Sequence, residues 1–192
     1  MEVIKTDIDG VVLIKPTVFE DSRGYFFESF NELEFINKVN LTDFVQDNES
    51  KSSYGVIRGL HFQLPPHSQA KLVRCVKGEV LDVAVDLRKG SPTYGKYVAF
   101  ELTEQNHLQL FIPKGFAHGF SVLSDVAIFQ YKCDKFYYPA ADGGINILDD
   151  TIEDTIGNKL NWHIPKDKMI LSEKDTKHPM FKDFDSPFEY NK

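Results

Sequence analysis

From residue 11 to residue 133 the apolar residues come in short runs, each closed by glycine, proline or a small polar residue, and this punctuation constrains the fold more than any other feature. Runs this short at such spacing read as strands. They fall at 11–14, 25–30, 44–47, 56–63, 72–76, 80–87, 98–102, 108–112, 120–123 and 127–133. Asp21, Ser22, Arg23 and Gly24 turn the chain between the first two, and Lys77-Gly78-Glu79 reads as a tight hairpin. In 80–87, Leu81, Val83, Val85 and Leu87 alternate with Asp82, Ala84 and Asp86, the period of a strand with two unlike faces. One helix is expected at 32–39, with Asn31 as N-cap and Glu34 closing a capping box. Beyond residue 138 the pattern loosens into charged turns with one or two short helices at most. Many short strands and little helix predict a mainly β, antiparallel sandwich or barrel. With 192 residues the chain suits one domain, 1–192, with a sizeable core.

Composition narrows the partners. The formal charge is −7, from 29 acidic and 22 basic residues that are scattered along the chain, which argues against a nucleic-acid surface. An anionic ligand must then be met by a local basic pocket. Sixteen Phe and eight Tyr suit sheets and can stack on planar ligands. Cys75 and Cys133 each sit in an apolar run, which fits a reducing compartment better than a disulfide framework. The start, MEVIKTDIDG, lacks the pattern of a secretory leader, and no apolar run approaches the ~20 residues needed to cross a bilayer. The expectation is a cytoplasmic protein with no membrane contact.

Four stretches carry residues able to do chemistry. In VIRGLHFQ, residues 56–63, strict alternation sets Arg58 and His61 on opposite faces, and Gly59 offers a bulge that would bring them to one side. Taken alone, His61 also suits an edge strand, bonded to a backbone carbonyl. In PKGFAHGF, residues 113–120, a proline and a glycine precede His118, which resembles the second motif of the cupins, small double-sheet barrels in which that histidine often binds metal. Their first motif is missing: His61 and His67 have the wrong spacing, so a bound metal is not expected. Tyr131, followed by Phe136, Tyr137 and Tyr138, is either core packing or a proton donor beside a stacking platform. Asp175, in LSEKDT, reads on its own as a surface acid.

In chain order the sequence holds VQDN (45–48), RGLHFQ (58–63), KLVR (71–74), GEV with DVAVD (78–86), SPT (91–93), IP with GFAHGF (112–120), YKC (131–133) and LSEKD (171–175). This series resembles the dTDP-4-dehydrorhamnose 3,5-epimerase family over roughly residues 1–180. The resemblance implies a cupin-type jelly-roll barrel that works without a cofactor on a dTDP-4-keto-6-deoxy sugar. It further implies His61 as base with Asp175 as partner, Lys71 beside the enolate oxygen and Tyr131 as acid. Substrate contacts are implied for Arg23, Glu28, Gln46, Asp47, Asn48, Arg58, His118, Tyr137, Asp142 and Lys174. Of these, Arg23 and Arg58 match phosphate positions and Tyr137 the ring that stacks on thymine. In the family the segment holding Arg23 and Glu28 reaches into a neighbouring subunit's site, which implies a homodimer. Asp142 stands where the family commonly has glutamate, and the segment 149–160 looks longer than usual.

The chemistry gives these residues reasons. Inverting a carbon beside a ketone means removing a proton from one face and returning one to the other, through an enolate. A neutral imidazole, with an ordinary pKa of ~6.5, suits the base. A carboxylate can hold its tautomer and stabilise the imidazolium, and a fixed cation can stabilise the enolate oxygen. No hydride moves, in keeping with the absence of a G-x-G-x-x-G turn. Three other readings stay open at this level: a C3-only epimerase, a metal-dependent cupin enzyme and a non-catalytic nucleotide-sugar binder.

Overall fold

The computed structural model describes residues 1–190. Its strands are β1 (Glu2–Lys5), β2 (Val12–Lys15), β3 (Phe19–Asp21), β4 (Gly24–Phe26), β5 (Gln46–Ser53), β6 (Ile57–Gln63), β7 (Lys71–Lys77), β8 (Glu79–Asp86), β9 (Tyr97–Thr103), β10 (Gln109–Ile112), β11 (Phe116–Val122), β12 (Val126–Cys133) and β13 (Asp142–Gly144). One α-helix, α1 (Glu32–Lys38), interrupts them. A six-stranded sheet runs β1-β2-β10-β7-β12-β5 and a five-stranded sheet β13-β6-β11-β8-β9, with β3 and β4 forming a separate ribbon. Every strand pairing in these sheets is antiparallel. The two sheets make a jelly-roll barrel, as the short strands predict.

The core between the sheets holds Val73, Val80, Leu110, Phe120 and Phe129. A second apolar layer lies on the other face of the five-stranded sheet, where Leu81, Val83, Val85 and Leu87 pack with Ile147, Ile152, Trp162 and Phe188. The C-terminal segment thus covers that face, and β8 is buried on both sides. Its unlike faces are two different interiors, not core and solvent: Asp82 and Asp86 are fully buried. A third cluster seats Phe35 of α1 against Phe111 and Leu72.

The structure corrects several expectations. Residues 77–79 do not form a hairpin: β7 pairs with β10 and β12, whereas β8 pairs with β9 and β11. Gly78 is a corner between the sheets, at φ +77°, where a Cβ would lie 2.2 Å from the Val126 carbonyl oxygen. The strand expected at 44–47 starts at Gln46 and runs on to Ser53. Its inner residues, Gln46, Asn48, Ser50 and Ser52, are polar because this edge lines a cavity, so no apolar alternation marks it. Asn31 caps α1, its Oδ1 accepting the Glu34 N–H at 3.1 Å. The capping box is half made, since the Glu34 carboxylate binds the Met1 ammonium and Lys38 instead. Strand 25–30 shortens to β4, and the chain after residue 162 carries three single 3-10 turns. Among the described residues no helix is long and apolar enough to cross a membrane.

Candidate active site

Arg58 and His61 reach one cavity through a bulge in β6. His61 lies opposite His118 and Arg58 opposite Phe120, so β6 spends one more residue than β11 over the same interval. Gly59 is the extra residue, at φ +131°, and a Cβ there would sit 2.5 Å from the Cα of Gly119. A Cβ on Gly119 would in turn lie 2.7 Å from the Arg58 carbonyl oxygen. Neither position has room for a side chain, and the close approach turns both Arg58 and His61 into the space between the sheets.

That space is a cavity of about 610 Å³ lined by Asn48, Arg58, His61, Lys71, His118, Tyr131, Lys174 and Asp175, among others. The size suits a small-molecule site with a few polar groups in apolar walls. His61 Nε2 lies 2.7 Å from Asp175 Oδ1. Asp175 comes from far along the chain, on the 3-10 turn Asp175–Lys177, where its N–H donates to Ser172 Oγ at 3.1 Å. Burial pushes the Asp175 carboxyl up, but hydrogen bonds with His61, Ser172 and the Gly59 backbone outweigh it and hold the group below the usual carboxylate range. A carboxylate at Nε2 draws the ring proton to that side and leaves the Nδ1 lone pair for chemistry.

Across from His61, the six-stranded sheet supplies Lys71 and Tyr131. Lys71 Nζ lies 5.8 Å from the centroid of the Tyr131 ring. Burial lowers the Lys71 pKa, opposed by acidic neighbours that include Asp82 and Asp142. Burial raises that of Tyr131, so the phenol keeps its proton at neutral pH. Deeper in, His118 Nε2 sits 2.9 Å from Asp82 Oδ2, and both side chains are buried. Desolvation pushes the Asp82 carboxyl up and the His118 imidazole down, each opposed by the other's charge.

The rim is a chain of polar contacts. Arg58 Nε and Nη2 donate to Ser52 Oγ at 3.2 and 3.1 Å. Gln46 Nε2 donates to Asn48 Oδ1 at 2.9 Å, while its Oε1 accepts the Tyr137 N–H. The Tyr137 hydroxyl donates to Asp142 Oδ2 at 3.4 Å, and Asp142 also pairs with Lys174. Gln46, Tyr137 and Asp142 do not line the cavity and join it only through these rim contacts, and three further expected residues lie away from it. Arg23 pairs with Asp21 on the exposed β3–β4 turn. Glu28 accepts from Asn31 and lines a separate cavity beside Phe26. Asp47 points outward to Lys132.

Sequence reasoning missed four residues. Asp82 was hidden in the alternation of β8; Ser52 and Ser172 carry no signal beyond their neighbours Arg58 and Asp175. His178 lies beside the pair, its ring meeting that of His61 edge to face. Among the described residues, His61, Asp175 and His178 each bring one potential ligand atom to within 4.8 Å of the others.

Comparison with known proteins fits this geometry. Residues 5–183 match the family model described as dTDP-4-dehydrorhamnose 3,5-epimerase. A curated relative of that name from Shigella flexneri is 51% identical over 186 residues, spanning 96% of this chain and 98% of its own. The crystal structure of the enzyme from Elizabethkingia anophelis superposes with a TM-score of 0.88 at 52% identity, covering 95% and 97% of the two chains. A dTDP-6-deoxy-D-glucose-3,5-epimerase from Legionella pneumophila, solved with dTDP-4-keto-L-rhamnose, gives 0.92 at 40% identity, covering 100% and 99%. With its barrel, its motifs and its full-length likeness in agreement, the chain belongs to the dTDP-4-dehydrorhamnose 3,5-epimerase family.

Proposed function

We propose that this chain epimerises C3 and C5 of dTDP-4-dehydro-6-deoxy-D-glucose to give dTDP-4-dehydro-L-rhamnose, without a cofactor. One observation carries the reading: the paired His61–Asp175 and the Lys71–Tyr131 couple face each other from different sheets across one cavity. Inversion beside a ketone needs groups on both faces of the sugar. His61 Nδ1 takes the C–H proton, and Asp175 holds the Nε2–H and stabilises the imidazolium. The C4 oxygen gathers negative charge as the enolate forms, and the Lys71 ammonium meets it in a space of low dielectric. Tyr131 then gives a proton to the opposite face. Between two such cycles, one at each carbon flanking the ketone, the His61 imidazolium releases its extra proton to solvent and the Tyr131 phenolate takes one back, which resets both groups.

Arg58 and Lys174 supply the local positive charge that a diphosphate needs in an acidic protein. Tyr137, 55% exposed at the rim, offers its face to the thymine, with Gln46, Asn48, Asp142 and His118 as further contacts. Arg23 and Glu28 complete the set from a homodimer, the β3–β4 ribbon serving a second copy's cavity, while Asp47 stands beside Asn48 on β5 as a further contact. Exposed Phe19, Tyr25 and Phe26 on that ribbon support this arrangement. The free, buried Cys75 and Cys133 fit a cytoplasmic enzyme.

The test is NMR of the protein with dTDP-4-keto-6-deoxy-glucose in D₂O, following label at C3 and C5. Deuterium at both carbons in an L-configured product is expected. Label at C3 alone would make it a 3-epimerase, and no label with dTDP binding intact would sink the activity on this sugar.

A further inference from the structure

The His61–Asp175 pair has a neighbour that the reaction does not use. After the Asp175 turn the chain folds back and brings the His178 ring to the His61 ring, centroids 6.0 Å apart and planes at 73°. The segment is pinned. Asn146 Nδ2 donates to the carbonyls of Thr176 and His178 at 2.9 and 3.2 Å, and the Asn146 N–H donates to the Pro179 carbonyl. The ring lies flush on β13, where a Cβ at Gly144 would come within 2.6 Å of His178 Cδ2 and 2.7 Å of Nε2. Within this setting His178 Nε2 is buried and has no hydrogen-bond partner among the described residues. Such an atom is costly to leave unsatisfied and calls for a reason. One donor atom from each of His61, Asp175 and His178 falls within 4.8 Å of the other two.

We propose that His61, Asp175 and His178 form an inhibitory capture site for a divalent transition metal of the Zn²⁺ class. Two imidazoles and a carboxylate are donors such ions favour, and three protein donors with an open fourth position is a coordination zinc accepts. Mg²⁺, which prefers oxygen donors and water, is poorly served by the two nitrogens. Because the donors come from β6, the 3-10 turn and the pinned segment after it, they need only close on a common centre.

Capture disarms the base by changing its tautomer. In the working form proposed above, the His61 proton sits on Nε2, toward Asp175, and the lone pair is on Nδ1. A metal bonded to Nε2 takes the lone pair there, and the proton from that nitrogen passes to Nδ1. The ring loses no proton overall, but Nδ1 becomes an N–H and cannot accept a proton from carbon. The inhibition rests on His61 being the base proposed above; the capture does not.

The experiment uses the full chain, treated with EDTA and then freed of chelator. Titration with Co²⁺ by visible absorption and with ZnCl₂ by calorimetry should reveal one site per chain. The rate of deuterium exchange into the sugar should fall in step with occupancy and return with EDTA. His178→Asn should keep its EDTA-treated exchange rate within about twofold and lose at least the ~10-fold in Zn²⁺ affinity that removal of even an outer-shell partner costs a metal site. In the unaltered protein, ¹⁵N NMR of the imidazoles should show the His61 proton moving from Nε2 to Nδ1 on adding Zn²⁺, a readout that needs no variant. Unchanged Zn²⁺ affinity in a folded His178→Asn protein, or no change of tautomer in the unaltered one, overturns the proposal. Capture and tautomer change with exchange undiminished would keep the metal site and overturn both the inhibition and His61 as the base.

Discussion

Two histidine–carboxylate pairs stand back to back in this barrel, and their difference shows how burial assigns roles. His61 and His118 are cross-strand neighbours on β6 and β11, and each meets an aspartate through Nε2. The His61 side chain is 33% exposed to the cavity, that of His118 only 8%. Asp175 is embedded in hydrogen bonds that hold its charge, whereas Asp82 Oδ1 has no partner among the described residues and desolvation pushes that carboxyl up. The outer pair is built to carry a charge separation and the inner one to avoid it. A carboxylate that stays ionised beside an accessible imidazole suits the base proposed above; a carboxyl and imidazole both driven toward neutrality suit a buried hydrogen bond.

The comparison breaks most sharply at the bases. His61→Asn is expected to lower deuterium exchange at both sugar carbons by ~10²–10⁴ with dTDP affinity kept. If His118→Asn slowed exchange as much while His61→Asn did not, the roles would be reversed. Tyr131→Phe tests the opposite wall. It should slow formation of inverted product by ~10² or more, yet still allow His61 to wash deuterium into unreacted substrate. Loss of both together would mean that Tyr131 also serves abstraction.

The inner pair is read in stability. Asp82→Asn should cost about 1–3 kcal/mol in urea unfolding, the range for disturbing a buried hydrogen bond between near-neutral partners. A loss nearer 5 kcal/mol would instead indicate a fully charged pair. The two pairs should also part company with pH. The His118 pKa is lowered, so its contribution is complete above the ordinary 6.5 and is lost as pH falls through the folded value. The Asp175 pKa is lowered from 3.8, so that contribution survives to pH ~4 and is lost only below. The stability gap between wild type and His118→Asn should therefore narrow already below pH 6.5, and that for Asp175→Asn only below about 4. Asp82, raised from 3.8, contributes in full below that value and loses its contribution as pH rises through the folded value. The smallest effect concerns the rim: Arg58→Lys keeps the charge and loses the fork, and should raise KM roughly tenfold with kcat little changed.

How much of this was legible depended on whether a residue's role left a local trace. The barrel did, because strands with apolar inner faces repeat between turns. The bulge did as well: a glycine between Arg58 and His61 is enough to suspect that both face one way. The strand β5 did not, because its inner residues line the cavity and are polar. Gly78 misled, since a glycine at a corner between sheets has the same sequence signature as one in a hairpin. Asp82 belonged to the more polar of two unlike faces; it is internal because that face, with Val80 and Ala84, looks into the core between the sheets, while the C-terminal layer covers Leu81 and Val83. Asp175 and His178 join the site through contacts across most of the chain, and short-range pattern holds no record of those. Family likeness supplied Asp175, but nothing supplied His178.

The distance in sequence between His61 and Asp175 has a consequence for synthesis. The last barrel strand, β13, ends at Gly144, while the base's partner arrives later and on a turn held by Ser172. A nascent chain therefore has every barrel strand available for pairing, from the N-terminal side as translation proceeds, before the layer over Leu81 and Val83 and the carboxylate at His61 arrive. With the proposed roles, competence would certify completed translation: a product cut short between Gly144 and Asp175 would keep His61 and lack the carboxylate that meets it.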